Sequence, residues 1–306
     1  MASSKVDAGT GLGLIQLSDC LGSPARADRW LADLVGAVPT AERIALDVAA
    51  VSFVCPYGAV VLLSVCRHLA RERGRPVQLV GLQEHVHAYL RRLDFFKAGA
   101  GAVVATELLP WGVELPRSVA SLNVLELTVV RSLREVYEAT ARALLIFKTW
   151  LGMDAGAAHR VACCIAEACE NVIEHSRDSG VVVAQKYEFA GWTEVQLAIA
   201  DLGIGIRQSL HSAYAGLDET PSGWIKRAVA GLSCRGGRGG LGLGEIRRLA
   251  TQTGGSLLIR SGGGSAVYVP GHARYANLAD LSGLPGTQLA VTLRNAGGAG
   301  RRAGVQ

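Results

Sequence analysis

The chain has 306 residues, enough for two domains, because single domains commonly span roughly 100–200 residues. Hydrophobic residues make up 49% of the sequence and charged residues 19%, a composition typical of a folded protein and too apolar for a disordered one. The net charge of +5 comes from scattered lysines and arginines, so the sequence does not predict a nucleic-acid-binding surface.

The sequence also argues against a membrane protein and a metal-binding cysteine motif. The longest apolar stretches, residues 59–66 and 141–147, fall short of the ~20 residues that a membrane-spanning helix needs. Residues 1–13 lack the basic start and apolar core of a signal peptide. The seven cysteines have no CxxC or Cys/His spacing, and we interpret them as buried thiols. These features predict a cytoplasmic protein.

The N-terminal part of the chain has the pattern of a β-α-β unit. Residues 1–11 are small and polar and are expected to be frayed. Residues 44–48 alternate like a strand, residues 58–73 have helical spacing with a basic end, and residues 77–80 form a short apolar run. The two strands should pair in parallel, because a helix connects them. A second helix is predicted over residues 83–96.

A break in the pattern separates this unit from the rest of the chain. Residues 97–104 are rich in Gly and Ala, and Pro110 and Pro116 bracket a short irregular piece. We therefore place a boundary near residue 118, which gives two domains over residues 1–118 and 119–306.

The second domain is predicted to be an α+β layer structure, in which long helices precede mostly antiparallel strands. Two alternating segments around Ala190 and Gly191 have the pattern of a hairpin. The predicted strands cover residues 122–130, 181–189, 194–200, 256–260, 266–269 and 288–293, and the predicted helices cover 133–150, 157–175 and 242–253. A long irregular stretch begins at Arg207, and a disordered tail is expected from about residue 295.

Two polar motifs lie near the middle of this domain. Glu167 and Asn171 lie four residues apart and therefore on one face of the second predicted helix. Asp201 ends a strand and is followed by Gly203 and Gly205, so that a carboxylate can meet a purine amino group while the backbone approaches the ring closely. Taken alone, the first motif is more typical of a solvated helix face, and the second is very common in tight turns.

Two further motifs are suited to phosphate. The glycine-rich residues 236–244, which include Gly240 and Gly242, run directly into a helix start. Such a start exposes backbone N–H groups and the positive end of the helix dipole, although a linker can have the same composition. Thr287 follows Gly286 at the start of the last strand, where its hydroxyl can meet a phosphate oxygen.

In order and spacing, these motifs resemble the N, G1, G2 and G3 boxes of the GHKL superfamily. That superfamily has the Bergerat fold and includes the HATPase_c catalytic domains of histidine kinases. Residues 166–175 look most like the anti-sigma-factor serine kinases, and the resemblance covers residues 122–294. It implies a Bergerat α/β sandwich that binds ATP and Mg²⁺. Arg238 departs from the pattern, because many histidine kinases have a glycine there.

The resemblance also implies a role for each residue of the first two motifs. Asn171 would coordinate Mg²⁺, and Glu167, as the catalytic residue, would position or deprotonate the attacking group. Asp201 would accept a hydrogen bond from the adenine amino group, while Gly203 and Gly205 would give the base room.

The same resemblance implies how the phosphates are held. Gly240 and Gly242 with the adjoining helix start would bind them, and Thr287 would close the site. Residues 207–238 would form the ATP lid, which makes Arg235 and Arg238 candidate phosphate contacts.

The first domain is similar to the STAS domains of anti-sigma-factor antagonists. The similarity lies in Asp47, residues 51–58 and the apolar helix that follows. Antagonists that are phosphorylated have a serine immediately before the glycine at the helix start, whereas this chain has Tyr57. We therefore expect no phosphorylation switch in this domain, and a docking or scaffold role instead.

Together these features predict a STAS-like β-α-β domain followed by a Bergerat domain, an α/β and α+β architecture. The predicted function is that of a Mg-ATP-binding regulatory protein that resembles anti-sigma-factor serine/threonine kinases and works by partner switching. Whether it phosphorylates a partner is left open, and the alternatives are a conformational ATPase and a non-hydrolysing ATP-dependent scaffold. The expected partner is a STAS-type or sigma-like regulatory protein, without membrane or nucleic acid, and homodimerisation is left open.

Overall fold

A computed structural model describes most of the chain. The described residues are 3–7, 11–34, 38, 40–106, 124–150, 155–175, 179–211, 213–214, 216–217, 219–233, 241–277 and 284–296. The predicted boundary near residue 118 therefore lies outside the described residues and stays a prediction. None of the helices in these ranges combines the length and apolarity needed to cross a membrane.

A five-stranded sheet forms the N-terminal part of the molecule, with its strands in chain order. The first two strands are antiparallel and the other neighbours are parallel. The strands are β1 (Ser3–Asp7), β2 (Leu12–Gln16), β3 (Arg43–Asp47), β4 (Val77–Val80) and β5 (Val103–Ala105), and the helices are α1 (Pro24–Leu34), α2 (Pro56–Arg73), α3 (Glu84–Arg92) and α4 (Phe95–Ala98).

The predicted parallel pair is confirmed, because β3 and β4 are neighbours with Leu46 opposite Leu79. Two predictions for this part of the chain are wrong. Residues Ser3–Asp7 are not frayed, since they form a strand that pairs with β2. The single helix over residues 83–96 is instead two helices, because Asp94 between them has a left-handed φ of 59°.

Helix α2 lies between the two sheets of the molecule. Its first turn contains Pro56, the thiol of Cys55 accepts a hydrogen bond from the N–H of Gly58 at 3.3 Å, and Gly74 ends it with a φ of 64°. Every residue from Pro56 to Cys66 is buried. A helix that is apolar on all sides can be stable only when it is covered on all sides, which the two sheets achieve.

An antiparallel sheet of seven strands forms the C-terminal part, in the order β11-β10-β9-β12-β8-β7-β6. The strands are β6 (Val124–Val130), β7 (Gly180–Phe189), β8 (Trp192–Ala200), β9 (Ser256–Ser261), β10 (Gly264–Val269), β11 (His272–Asn277) and β12 (Thr287–Ala296). The helices are α5 (Leu133–Trp150), α6 (Ala155–His175), α7 (Gly205–His211), α8 (Pro221–Val229) and α9 (Leu241–Gln252).

Most of the predicted elements of this part are confirmed, including the hairpin at Gly191, whose φ is 89°. The stretch after Arg207 is not irregular throughout, because it contains the end of α7 and all of α8. Strand β11 was not predicted. Strand β12 continues to Ala296, beyond the predicted start of the tail, and the remaining tail residues lie outside the described part of the chain.

Alternate residues of the seven-stranded sheet are buried against different layers. On what we call the inner face, side chains such as Val182 and Leu197 pack with the helices of the C-terminal part. On the outer face, Val181, Val183 and Ala198 pack with α2 and the N-terminal part. The molecule therefore has four layers in the order helices, sheet, helices, sheet, which is a mixed α/β architecture as predicted.

Polar contacts also cross the outer face. The Nε atom of Arg260 on β9 lies 2.5 Å from Oδ1 of Asp28 on α1, and its Nη2 donates to the Asp28 carbonyl at 3.1 Å. Arg260 is only 3% exposed, so this ion pair is buried. Further hydrogen bonds join the same two parts. Leu127 N donates to Leu93 O at 2.9 Å, and Tyr89 Oη donates to Gln185 Oε1 at 2.5 Å. Arg67 donates to Ser179 twice, from Nη1 to the carbonyl at 3.4 Å and from Nη2 to the hydroxyl.

Candidate functional site

An open cavity of about 130 Å³ lies at the inner face of the seven-stranded sheet, among α6, α7, α8 and α9. Apolar side chains make up much of its wall, including Ile199, Leu210, Leu243 and Leu289. Its polar lining residues are Glu167, Asn171, Asp201, Ser209, Ser233 and Thr287. A concave, largely apolar pocket with a few convergent polar groups is typical of a small-molecule site.

Glu167 and Asn171 enter the cavity from α6. This helix buries Val161 and Ile165 in the core, which leaves the neighbouring stripe with both polar residues half-buried at the cavity. Gly242 on α9 packs directly against the carboxylate, because a Cβ at that position would lie 2.7 Å from Oε2 of Glu167. A larger residue would therefore displace the Glu167 carboxylate from this position.

Asp201 and Thr287 are brought together by the pairing of β8 with β12. The Asp201 N–H donates to the Thr287 carbonyl at 3.0 Å, and the Thr287 N–H donates back to Asp201 Oδ2 at 3.2 Å. Oδ1 of Asp201 accepts from the Gly203 N–H at 2.7 Å. Gly286 allows this close approach, since its φ is 84° and a Cβ there would lie 2.2 Å from the Asp201 carbonyl oxygen. Both carboxylate oxygens are thus oriented by the backbone.

The turn after Asp201 depends on a serine that sequence reasoning missed. Ser261 ends β9, and its Oγ accepts from the Ile206 N–H at 2.8 Å and donates to the Gly286 carbonyl at 3.0 Å. The same oxygen lies 3.2 Å from Oγ1 of Thr287. Gly205 has a φ of 72°, and a Cβ there would approach Ser261 Oγ to 2.8 Å. No local sequence pattern marks Ser261, because only the strand register brings it here.

The structure brings together most of the predicted site residues. The cavity lining includes Glu167, Asn171, Asp201, Gly205 and Thr287. Gly203 and Gly242 support it from behind, through the contacts with the two carboxylates described above. Gly240, Arg235 and Arg238 lie outside the described residues, so their roles stay predictions.

Within the predicted lid, helix α8 is firmly packed. Thr220 caps its start by accepting from the Gly223 N–H at 3.1 Å. Its Trp224 and Ile225 side chains are buried, and Ile225 belongs to the main core of the C-terminal part. Ala228 of the same helix lines the cavity. This portion of the lid is therefore a wall of the cavity in the structure.

The cavity could hold a divalent cation only with help from its ligand. Among the described residues, no group of three or more His, Cys, Asp or Glu side chains is arranged to bind a metal ion. Asn171 nevertheless presents an amide at the cavity, beside the Glu167 carboxylate. Mg²⁺ takes few protein ligands and completes its octahedron with phosphate oxygens and water, so this donor set fits a magnesium ion that arrives with a nucleotide.

One comparison with known proteins agrees with this geometry. Residues 132–269 match the family model described as histidine kinase-like ATPase domain, which is less than half of the chain. The match extends from the start of α5 to the end of β10, and it includes the predicted residues from Glu167 to Gly242. No curated protein matches the chain. The match supports an ATP-binding domain of the GHKL type in the C-terminal part.

Proposed function

We propose that this chain is a regulatory protein that binds Mg-ATP in the inner-face cavity and works by switching between protein partners. The observation that carries the proposal is the convergence of Glu167, Asn171, Asp201 and Thr287 on one cavity, although they come from three separate parts of the sequence. The histidine kinase-like ATPase match over residues 132–269 supports the ATP-binding part independently.

The adenine end of the ligand is assigned to Asp201. An aspartate carboxylate accepts hydrogen bonds from donors such as the amino group of adenine. Ile199 and Leu289 on the neighbouring strands provide an apolar surface for the ring. Gly205 adds no side chain, so the backbone can lie close to the base.

The phosphate end is assigned to α6 and to the start of α9. Asn171 would hold the Mg²⁺, which neutralises phosphate charge when bound. Glu167, whose carboxylate lies beside Gly242, would accept the proton of an attacking hydroxyl or water. In phosphoryl transfer most of the catalysis comes from positioning and charge neutralisation, which are the roles assigned to these two residues.

The N-terminal part is assigned a docking role. Tyr57, which occupies the position of the expected phosphoacceptor, is 1% exposed and lies at the interface with the C-terminal part. It packs against the outer face of the sheet, whereas the cavity opens on the inner face. A phosphoryl group would therefore go to another protein, and a non-hydrolysing scaffold is the alternative that this burial equally favours.

Titration of the full chain with Mg-ATP, followed by calorimetry, tests the proposal. We expect saturable binding that Asn171→Ala weakens at least about tenfold in the presence of Mg²⁺, because a metal ligand is lost. Asn295→Ala is the matched control, since this exposed amide on β12 lies away from the cavity and should not change the affinity. Absence of ATP binding by the unmodified protein would overturn the proposal.

Incubation with ATP labelled at the γ-phosphate then separates the activities. Label on a partner protein supports the kinase, and free phosphate alone supports the conformational ATPase. Tight binding with neither product supports the scaffold. A Glu167→Gln variant that binds ATP but forms no product would assign the base, because the amide keeps the shape of the side chain and cannot take the proton.

A further inference from the structure

We propose that Ser261 determines the specificity of the site for an amino-bearing base, by fixing Thr287 Oγ1 as a hydrogen-bond acceptor. The inference rests on the proposed ATP-binding function and assigns to it a residue outside the predicted motifs. Ser261 is buried at the end of β9, behind the cavity wall formed by Thr287 and Gly205.

The direction of each hydrogen bond around Ser261 follows from its single hydroxyl proton. The Gly286 carbonyl can only accept, so the proton of Ser261 Oγ is used in the 3.0 Å contact to that oxygen. The Ile206 N–H can only donate, and it reaches Ser261 Oγ at 2.8 Å. In the remaining 3.2 Å contact, Ser261 has no proton left to give, so Thr287 Oγ1 must be the donor.

The direction of these hydrogen bonds determines whether Thr287 can act as a donor or an acceptor toward a ligand. Because its hydroxyl proton is directed to Ser261, Oγ1 presents only lone pairs to the cavity. In this arrangement Thr287 contacts the base and does not donate to a phosphate oxygen, which is the role that its position after Gly286 suggested. Asp201, whose Oδ2 accepts from the Thr287 N–H, is also an acceptor. A base with an amino group satisfies these neighbouring acceptors. A base with a carbonyl in the same place would leave acceptors facing one another, which is costly in a desolvated site.

The position of Ser261 is fixed from both sides of the sheet. Strand β9 pairs with β10 and β12, and the adjacent Arg260 binds Asp28 on the outer face. On the inner face, Gly205 leaves room for the hydroxyl, because any Cβ there would lie 2.8 Å from Oγ. The serine therefore cannot turn away to release the threonine proton without disturbing this packing.

Binding of ATP and of inosine triphosphate, which has a carbonyl in place of the amino group, tests the inference by calorimetry. We expect the unmodified chain to prefer ATP by at least about 100-fold. Ser261→Ala should lower this ratio about tenfold, because the freed threonine hydroxyl can donate to a carbonyl. Ser265→Ala should keep the ratio, since this buried serine lies opposite Arg260 and hence on the other face.

A second pair of variants keeps the inference testable if Ser261→Ala fails to fold. Thr287→Ser retains the hydroxyl and should keep the preference for ATP over inosine triphosphate. Thr287→Val removes the hydroxyl and should lower this preference. The double variant Ser261→Ala with Thr287→Val should have the same preference as Thr287→Val alone. Equal ratios for Thr287→Val and the unmodified chain would overturn the inference. That result leaves ATP binding intact, whereas failure to bind either nucleotide would instead refute the proposed function.

Discussion

The two faces of the seven-stranded sheet use the same strands for opposite purposes. On the inner face, Ser261 and Thr287 belong to an open cavity with polar groups directed at a ligand. On the outer face, their neighbours Arg260 and Gln288 are buried beneath the N-terminal part, where no ligand reaches them. Because successive residues of a strand point to opposite faces, two adjacent residues can serve ligand binding and domain packing separately. Substitutions on the outer face should therefore lower the free energy of unfolding, whereas substitutions on the inner face should mainly lower the affinity for the nucleotide.

The largest expected loss of stability comes from the outer face. Asp28→Asn removes the charge that balances Arg260 and leaves a buried guanidinium without its carboxylate. Breaking a buried pair from one side costs about 3–5 kcal/mol. We expect that loss in the free energy of unfolding, measured by urea titration of the full chain.

A partly exposed ion pair provides the control for this prediction. Arg142 and Glu126 lie 2.6 Å apart with side chains that water reaches, so Glu126→Gln should cost less than about 1 kcal/mol. The double variant Asp28→Leu with Arg260→Met should recover much of the loss, because no charge is left unpaired. An equal cost for Asp28→Asn and Glu126→Gln would show that water screens the pair between Asp28 and Arg260.

On the inner face, the main expected effect is on affinity. Asp201→Asn removes the charge that we assign to the adenine amino group and should weaken ATP binding about 10–100-fold, the range for a hydrogen bond to a charged group. Its urea midpoint should shift far less than that of Asp28→Asn, because an amide oxygen can still accept from the Gly203 or Thr287 N–H. A loss of stability as large as that of Asp28→Asn would contradict the separation of the faces.

The inner face is the part of the molecule that sequence predicts well. Spacing along one helix places Glu167 and Asn171 together, and strand alternation gives the hairpin that ends at Asp201. Patterns within short segments of the sequence do not show the order of the strands in the sheet. The sequence therefore could not reveal that β9 lies beside β12 and brings Ser261 to Thr287.

The outer face was not predicted, although the sequence contains a signal for it. Residues 59–66 are almost wholly apolar around α2, which indicates a helix covered on all sides. Residues 181–184 are likewise apolar without alternation, as in a strand buried on both faces. A pattern within one segment does not show which other elements of the fold cover that segment.

Alkaline pH provides a milder way to disturb the outer face. Burial raises the pKa of Tyr57 well above its ordinary value of about 10, with Asp28 adding to the effect and Arg260 opposing it. When the pKa of a group is higher in the folded state than in the unfolded state, its contribution to stability is fully present below the unfolded-state pKa. That contribution decreases as the pH rises above the unfolded-state pKa. Stability should therefore fall above pH ~10, by up to about 1.4 kcal/mol per pH unit for this group.

Tyr57→Phe should reduce that alkaline loss, as measured by urea unfolding between pH 8 and 11. No described residue is a hydrogen-bond partner of the buried hydroxyl, so the variant should be as stable as the unmodified chain at pH 8. Tyr137→Phe serves as control, because Tyr137 is 62% exposed and its loss should leave the pH dependence unchanged. Equal pH dependence for Tyr57→Phe and Tyr137→Phe would show that Tyr57 ionises as readily in the folded protein as in the unfolded one.

The smallest effect is expected on α6, within the inner layer itself. The interpretation of the cysteines as buried thiols is wrong for Cys163, which is exposed and lies 3.5 Å from His159 Nε2, whereas its neighbour Cys164 is buried. Burial raises the pKa of Cys164 to about 12, to which the charges of Glu245 and Glu167 add, so its thiol stays neutral and unreactive. Cys163→Ser should change the free energy of unfolding by less than about 0.5 kcal/mol, and Cys164→Ser should cost about 1–3 kcal/mol. Mass spectrometry after thiol alkylation at pH 7.5 should find Cys163 modified before Cys164, and the reverse order would place the opposite face of α6 in the core.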